Sequence, residues 1–256
     1  MANNITADPN CISLWRFEEG AMLTDEMGNN DLTYSDADWK PVEDTTIYKE
    51  GACSAKWNDG KEEPYVIADA SLSADFPLKN GGGSTFSWVA WIRPTNSVFD
   101  YACFGKMDVS GIEQACRILY TIDRTWGFIS DDNEIDSEIL AWYNVWHHVA
   151  VTHNGDTNLL KIRVYNSDPE TTETFETTLA GGNIVVPGTK PWSIADYNRR
   201  YTIRMDELAV FNDILEPSEI DAIRNGTYSG GGGGGPGEQT TGDGGGISTF
   251  FSGCTF

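Results

Sequence analysis

The sequence has few basic residues and no long apolar run. Its 256 residues include 17 Lys and Arg against 39 Asp and Glu, which gives a formal net charge of −22. A chain this acidic repels phosphate backbones and anionic lipid surfaces, so we expect neither nucleic acid nor a membrane surface as its partner. No apolar stretch approaches the roughly 18 residues that a membrane span requires, so we also expect no membrane span.

Signals for export, zinc binding and redox chemistry are missing too. The first residues, MANNITADPNC, contain neither the basic region nor the apolar core of a signal peptide. We therefore expect a protein that reaches a virion or an extracellular surface through lysis. Five cysteines without a C-x-x-C pair argue against a zinc ribbon or a thioredoxin-type site. Reduced, buried thiols are the expected state, and a Cys103–Cys116 bridge stays open.

What the chain does have is a core-forming composition and strand-like patterns. Hydrophobic residues make up 39% of the chain and aromatic residues 12%. Apolar residues alternate along Ser84–Arg93, and Trp146–Thr152 is apolar on both faces, as in a central strand. Asn154-Gly155 predicts a type I′ hairpin turn into a strand over Leu160–Tyr165, and Pro217 begins a short helix. The pattern indicates an all-β, antiparallel two-sheet sandwich with one short C-terminal helix.

Composition divides the chain into four segments. We predict an N-terminal arm over residues 1–10, the sandwich over 11–226, a Gly-rich linker over 227–246 and an apolar, strand-prone segment over 247–256. A glycine-rich stretch has no side chains to bury and behaves as a flexible tether. The last segment, ISTFFSGCTF, carries no charge, and three exposed Phe at a free end favour aggregation. We therefore predict that it docks on a partner through Ile247, Phe250, Phe251 and Phe256.

An ordered set of motifs resembles one known family. The motifs are ISLWRFEEGAMLTDEMGNND, GACSAKWNDG, PYVIADASL, STFSWVAWIRP, WHHVAVTHNG and the stretch Met205–Ile223. Together they resemble the laminin G-like branch of the concanavalin A-like lectin/glucanase jelly rolls. The resemblance implies a jelly-roll sandwich whose opening strand lies beside the strand that contains Asp206. It also implies a calcium ion held by Asp25, Asn29 and Asp206, because carboxylate and amide oxygens suit this cation. The alternative is that Asp206 only hydrogen-bonds backbone amides of the loop that contains Asp25 and Asn29.

An acidic triplet is the one catalytic candidate. Residues at i, i+2 and i+4 of a strand project to one face at steps of about 6.5–7 Å, and Glu134, Asp136 and Glu138 have that spacing. Glucanases on this fold carry a similar signature, in which such carboxylates act as nucleophile and general acid. Two further aspartates precede the triplet, which favours a solvated acidic loop or edge instead. The expectation is therefore a protein that is not an enzyme.

Aromatic residues in predicted loops are the candidates for glycan binding. Sugar rings stack on aromatic faces, while polar groups at the rim supply hydrogen bonds. Trp126, Trp142, Tyr143, Trp192 and Tyr197 lie in or beside predicted loops. These residues predict contact with surface glycans.

The sequence therefore favours a non-enzymatic structural or adhesion protein. We expect a lectin-like jelly roll displayed on a larger assembly, such as a phage decoration or fibre protein, and docked by its C-terminal tail. Its partners are then neighbouring subunits, in a homo-oligomer or lattice, with surface glycans as a second class. The alternatives are a carbohydrate-binding module of a secreted protein and a retaining β-glucanase that uses the acidic triplet.

Overall fold

A computed structural model shows two packed antiparallel sheets. The described residues are 3–34, 40–58, 64–81, 85–96, 101–107, 116–130, 133–179, 189–195 and 202–230. The predicted docking residues Ile247, Phe250, Phe251 and Phe256 lie outside these ranges. Within them, no helix is long and apolar enough to cross a membrane.

The described ranges contain fifteen strands and one α-helix. In chain order they are β1 (Cys11–Trp15), β2 (Thr33–Tyr34), β3 (Val42–Asp44), β4 (Ser54–Trp57), β5 (Tyr65–Ile67), β6 (Phe86–Asn96), β7 (Tyr101–Lys106), β8 (Cys116–Tyr120), β9 (Thr125–Ser130), β10 (Asn133–Leu140), β11 (His147–Asn154), β12 (Leu159–Ser167), β13 (Glu170–Thr178), β14 (Trp192–Ile194), β15 (Thr202–Phe211) and α1 (Pro217–Arg224). Short 3-10 turns cover Ile5–Ala7, Asp69–Ser71 and Lys79–Gly81.

The strands form two sheets, which we call sheet A and sheet B. Among the described strands, sheet A runs β13-β12-β11-β6-β15-β4-β3, and β1 pairs with β15 as well. Sheet B runs β10-β9-β8-β7-β14-β5-β2. The order crosses repeatedly between distant parts of the chain, as in a jelly roll, which confirms the predicted two-sheet sandwich.

The core lies between the sheets and follows the period-2 pattern of the sequence. The four residues predicted to share one face of β6 are all buried there: Phe86, Trp88, Ala90 and Ile92. Strand β11 lies between β6 and β12 and is buried on both faces from His147 to His153, as predicted for a central strand. Strand β12 alternates buried and half-buried residues along its length. Alternation therefore identified the core-facing residues correctly.

The start of the chain lies beside its late strands, as the resemblance implied. Strand β1 pairs with β15 in antiparallel register, with Trp15 opposite Leu208. This pairing adds β1 to sheet A beside β15 and gives its residues cross-strand neighbours. The N-terminal residues therefore belong to the sandwich.

A second apolar cluster covers the part of the outer face of sheet A around Val89, Ala150 and Ala209. Ile220 and Ile223 of α1 pack there with Ile5 and Tyr228. The Asn4 N–H donates to the Tyr228 carbonyl at 2.9 Å, so the predicted arm and the first linker residues both lie against the sandwich. The helix begins at Pro217 as predicted, and Gly226, at φ 68°, follows its end.

Two local expectations change. The β11–β12 connection is a four-residue turn over Gly155–Asn158, where Asn158 has the positive φ (56°). The predicted two-residue type I′ turn at Asn154-Gly155 is wrong, because the Asn154 side chain accepts the N–H groups of Asp156 and Thr157 and extends the loop. Cys103 and Cys116 are free and buried, so the open question of a bridge resolves as two reduced thiols.

Candidate functional site

The turn between β8 and β9 builds one side of an exposed apolar corner. The Thr121 N–H donates to the Thr125 carbonyl at 2.9 Å, and their hydroxyls lie 2.6 Å apart. The Arg124 N–H closes the turn by donating to the Thr121 carbonyl at 3.0 Å. Ile122 lies in this turn with 57% of its side chain exposed. Ile122 is therefore the most exposed of the large apolar residues in the described ranges.

The connection from β10 to β11 supplies the other side of the corner. The Ala141 N–H donates to the Arg124 carbonyl at 2.8 Å, which brings this connection against the β8–β9 turn. Leu140 and Trp142 flank Ala141, and each is 47% exposed. We call Ile122, Leu140 and Trp142 the corner patch. They are three of the five large apolar residues that are exposed in the described ranges.

A buried histidine fixes the backbone of Trp142. His147 lies at the start of β11, and its Nε2 is 3.1 Å from the Trp142 N–H and 3.0 Å from the Trp142 carbonyl. Its Nδ1 lies 2.5 Å from Oδ1 of Asn166. Burial lowers the pKa of His147, so the neutral ring is favoured. With Nδ1 donating to Asn166, the Nε2 lone pair accepts the Trp142 N–H and holds the loop in place.

Polar and charged groups surround the patch. The Arg124 guanidinium lies 4.6 Å from the centre of the half-buried Tyr143 ring, a cation–π geometry. Tyr143 also packs edge-on against Tyr120 at 6.2 Å. The corner therefore combines the exposed Trp142 indole with the Arg124 guanidinium, an aromatic face next to a polar donor.

The predicted glycan-binding aromatics separate into three groups. Trp142 is exposed and Tyr143 half-buried, and both lie at the corner. Trp126 and Trp192 were expected in or beside loops, but they lie in β9 and β14 and are fully buried in the core. Neither offers a face to a sugar, so this expectation is corrected for both. Tyr197 lies outside the described residues.

The acidic triplet lies on a sheet edge. Strand β10 pairs with β9 and is the end strand of sheet B as described. Glu134, Asp136 and Glu138 are all exposed, but Glu138 has a φ of 59° and follows a register shift that begins after Asp136. A bulge of this kind breaks strict alternation. The i, i+2, i+4 geometry expected of a glucanase strand is therefore interrupted at its third carboxylate.

Asp25 organises the loop after β1 through backbone amides. Its Oδ1 accepts the N–H groups of Leu14 at 2.8 Å and Met27 at 3.1 Å. Its Oδ2 accepts those of Asn29 at 3.2 Å and Asn30 at 2.9 Å. The Asn29 side chain donates to the Met27 carbonyl at 3.1 Å. Both Asp25 oxygens are therefore occupied by the chain itself.

Asp206 serves a different loop. It is fully buried in β15, and its Oδ2 accepts the N–H groups of Lys49 at 2.8 Å and Glu50 at 3.0 Å. Its Oδ1 is buried without a hydrogen-bond partner in the described ranges. Burial raises the pKa of Asp206 to about 8, although the two amides act in the opposite direction.

These contacts do not fit the expected calcium site. The carboxylates of Asp25 and Asp206 bind the amides of separate loops, and Asn29 uses its side chain within its own turn. Among the described residues, no group of three or more His, Cys, Asp or Glu side chains is arranged to hold a metal ion. Calcium binding by Asp25, Asn29 and Asp206 therefore stays a prediction without geometric support here.

The sheet order defines a lectin-like jelly-roll β-sandwich. Residues 67–221, more than half of the chain, match the laminin G family profile described as the concanavalin A-like lectin/glucanases superfamily. The chain belongs to this superfamily. No curated protein matches it in sequence.

Solved structures share the fold at low sequence identity. The binding domain of Paraclostridial Mosquitocidal Protein 1 is similar with a TM-score of 0.58 and 17% identity, over 84% of this chain and 52% of that one. The binding domain of Botulinum Neurotoxin DC in complex with SialylT has a TM-score of 0.58 and 14% identity, over 88% and 53%. A Trypanosoma rangeli sialidase has a TM-score of 0.57 and 13% identity, over 84% and 32%. The chain thus spans about half the length of each toxin domain and 32% of the sialidase chain.

Proposed function

We propose that the chain is a non-enzymatic, lectin-like adhesion module that binds a glycan through the corner patch. The observation that carries this proposal is the exposed Trp142 side chain, whose backbone is fixed by the buried His147. A rigid aromatic ring stacks on a sugar at a low cost in conformational entropy, because little motion is lost on binding. Arg124 beside the patch supplies donors for sugar hydroxyl groups.

The similar structures support a binding role for such a fold. The binding domain of Botulinum Neurotoxin DC is similar in fold and forms a complex with SialylT. Another similar structure is of botulinum neurotoxin type C, whose cell entry depends on interaction with two ganglioside molecules. Both concern sugar-containing receptors, which agrees with a glycan as the ligand of this chain. Because identity is low, the position of the site is argued from this chain's own exposed residues.

A Trp142→Ala variant tests the assignment. We expect the full-length chain to bind a subset of glycans on an array and Trp142→Ala to weaken that binding at least about tenfold, equivalent to ~1.4 kcal/mol. Affinities are measured by calorimetry on the best glycan from the array. The matched control is Tyr48→Ala, since Tyr48 is 44% exposed but lies in the loop between β3 and β4.

Two results would contradict the proposal. One is equal loss of affinity in Trp142→Ala and Tyr48→Ala, which would indicate nonspecific adhesion. The other is turnover of β-glucans or sialosides that disappears in Glu134→Gln, which would favour the enzyme alternative. The exposed position of Glu134 on an edge strand argues for no turnover.

We also propose that the C-terminal tail displays the module on a larger assembly, such as a virion or an extracellular surface. The support is compositional: a Gly-rich stretch is followed by an uncharged segment that contains Phe250 and Phe251. Many copies on a lattice raise weak glycan affinity through avidity. Deletion of residues 231–256 is expected to abolish assembly, as measured by light scattering, and to leave the calorimetric glycan affinity unchanged. A full-length chain that stays monomeric would refute this part.

A further inference from the structure

Three basic residues form a row across the outer face of sheet A. Arg204 in β15 lies directly opposite Lys56 in β4 and Arg93 in β6. Residues on either side of each, including Ala55, Ile92 and Met205, are buried in the core between the sheets, so the three basic side chains point away from it. We call Lys56, Arg204 and Arg93 the basic row. It is unexpected in a chain of net charge −22.

Among the described residues, one carboxylate, that of Asp44, neutralises this row by direct contact. Arg204 is buried, and its Nε donates to Oδ2 of Asp44 at 2.8 Å, while its Nη1 donates to Thr95 at 3.2 Å. The other Asp44 oxygen accepts the N–H groups of Thr46 at 3.0 Å and Ile47 at 3.1 Å. Asp44 is thus committed to Arg204 and to its own turn, and it offers no free oxygen to the other two cations.

In the part of the chain that the structure describes, the half-buried Arg93 has no hydrogen-bond or ion-pair partner and lies beside a like charge, Arg204. Burial and the neighbouring Arg204 lower the pKa of Arg93, while Asp44 acts in the opposite direction. Like charges directly opposite each other on adjacent strands are destabilising. An arrangement of like charges that costs stability is typical of a functional site, because a bound ligand of opposite charge removes the repulsion.

We propose that the basic row binds an oxyanion group, such as the carboxylate or sulfate of an acidic sugar or a free inorganic oxyanion. The planar guanidinium of Arg93 presents parallel N–H donors that match two oxygens of such a group. Lys56, on the other side of Arg204, adds an ammonium group. The site lies on the outer face of sheet A, so it is separate from the Trp142 contact and does not depend on it.

The test uses sulfate with the full-length chain. Thermal unfolding is followed in sodium sulfate and in sodium chloride of equal ionic strength, for the wild type, Arg93→Gln and a matched control, Lys161→Gln. Lys161 lies on the same sheet in β12, where Glu176 at 3.4 Å already pairs with it. Because sulfate also stabilises proteins generally by exclusion, only the difference between variants reports on the site.

We expect sulfate to raise the unfolding temperature of the wild type and of Lys161→Gln more than that of Arg93→Gln. In chloride, Arg93→Gln is expected to be at least as stable as the wild type, because the repulsion is gone. Calorimetry should show sulfate affinity about ten- to a hundredfold weaker in Arg93→Gln. A second variant, Lys56→Gln, keeps Arg93 and is expected to lose several-fold.

The same sulfate response in all four proteins would overturn the proposal, as would destabilisation of Arg93→Gln in chloride. N-acetylneuraminic acid and glucuronic acid distinguish the sources of the anion: tighter Arg93-dependent binding than sulfate assigns an acidic sugar, and weaker binding assigns a free oxyanion. Trp142→Ala should keep the full response to sulfate, so failure of the corner patch and failure of the basic row are separate results.

Discussion

Asp25→Asn separates an amide-binding role from a calcium-binding role for the loop after β1. The substitution keeps the shape of the side chain but turns one acceptor oxygen into an NH₂ donor. In the wild type each oxygen accepts two N–H groups, from Leu14 and Met27 on one side and from Asn29 and Asn30 on the other. Whichever way the new amide turns, two N–H groups lose their acceptor.

The expected cost follows from those two donors. A buried donor without an acceptor costs about 1–3 kcal/mol. The Asn30 side is buried, whereas Met27 and Asn29 lie nearer to solvent and can recruit water. We therefore expect a loss of about 2–4 kcal/mol in the free energy of unfolding. For a domain of this size the unfolding temperature should fall by roughly 4–16 °C.

Calorimetry in EDTA and in calcium chloride measures this loss. If Asp25 binds only amides, the fall is the same in both buffers, and the wild type shows no calcium-dependent shift. The control is Asp156→Asn, which removes an exposed carboxylate in the β11–β12 turn and should leave stability unchanged within about 0.5 kcal/mol. A wild type that is stabilised by calcium, together with an Asp25→Asn variant that is not, would refute the reasoning.

Two further predictions concern pH and have opposite signs. The folded-state pKa of Asp206 is raised to about 8 by burial, so its contribution to the free energy of unfolding should fall as the pH rises from about 4, the pKa of the unfolded carboxyl, to about 8, and Asp206→Asn should reduce that slope in urea titrations. The pKa of His148 is lowered to about 3 by burial and by nearby Arg224, Lys49 and Arg163, so the stability that neutral His148 contributes should be lost as the pH falls below about 6.5. His148→Leu should weaken this acid dependence, and an unchanged slope in either variant would contradict the assigned pKa.

The fold could be predicted because its signals are local and repeated. The alternation in β6 and β12 places their core-facing residues correctly, and Pro217 and Gly226 delimit the helix. These features depend on the period of a strand and on backbone angles, both of which are readable from a short window. The pairing of β1 with β15 is different, since it came only from the family resemblance.

The site was predictable only in part, because burial at the ends of strands is a tertiary property. Trp126 follows a turn and Trp192 follows Pro191, so turn signals placed both near loops, yet cross-strand pairing with β8 and β7 carries them into the core. No local pattern singled out Ile122 or Leu140, since apolar residues beside strands are usually buried. Asp206 was expected either to bind calcium or to accept backbone amides of the loop after the first strand, and its amide partners lie instead in the loop before β4, 156 and 157 residues away.

The distribution of charge connects the two proposed contacts. The chain as a whole is strongly acidic, which disfavours approach of an extended polyanion but matters much less for a single anionic group held at close range, since screening limits long-range repulsion to about 8–10 Å in physiological salt. The basic row brings three cations to one face of sheet A, where the Asp44 carboxylate is already bound to Arg204. The corner patch, in contrast, is apolar and has Arg124 at its rim. An acidic sugar at the basic row and a neutral sugar at the corner patch satisfy these conditions separately, and a polysulfated chain does not. Binding to the polysulfated chain in preference to the acidic sugar at 0.15 M salt would therefore contradict the combined account.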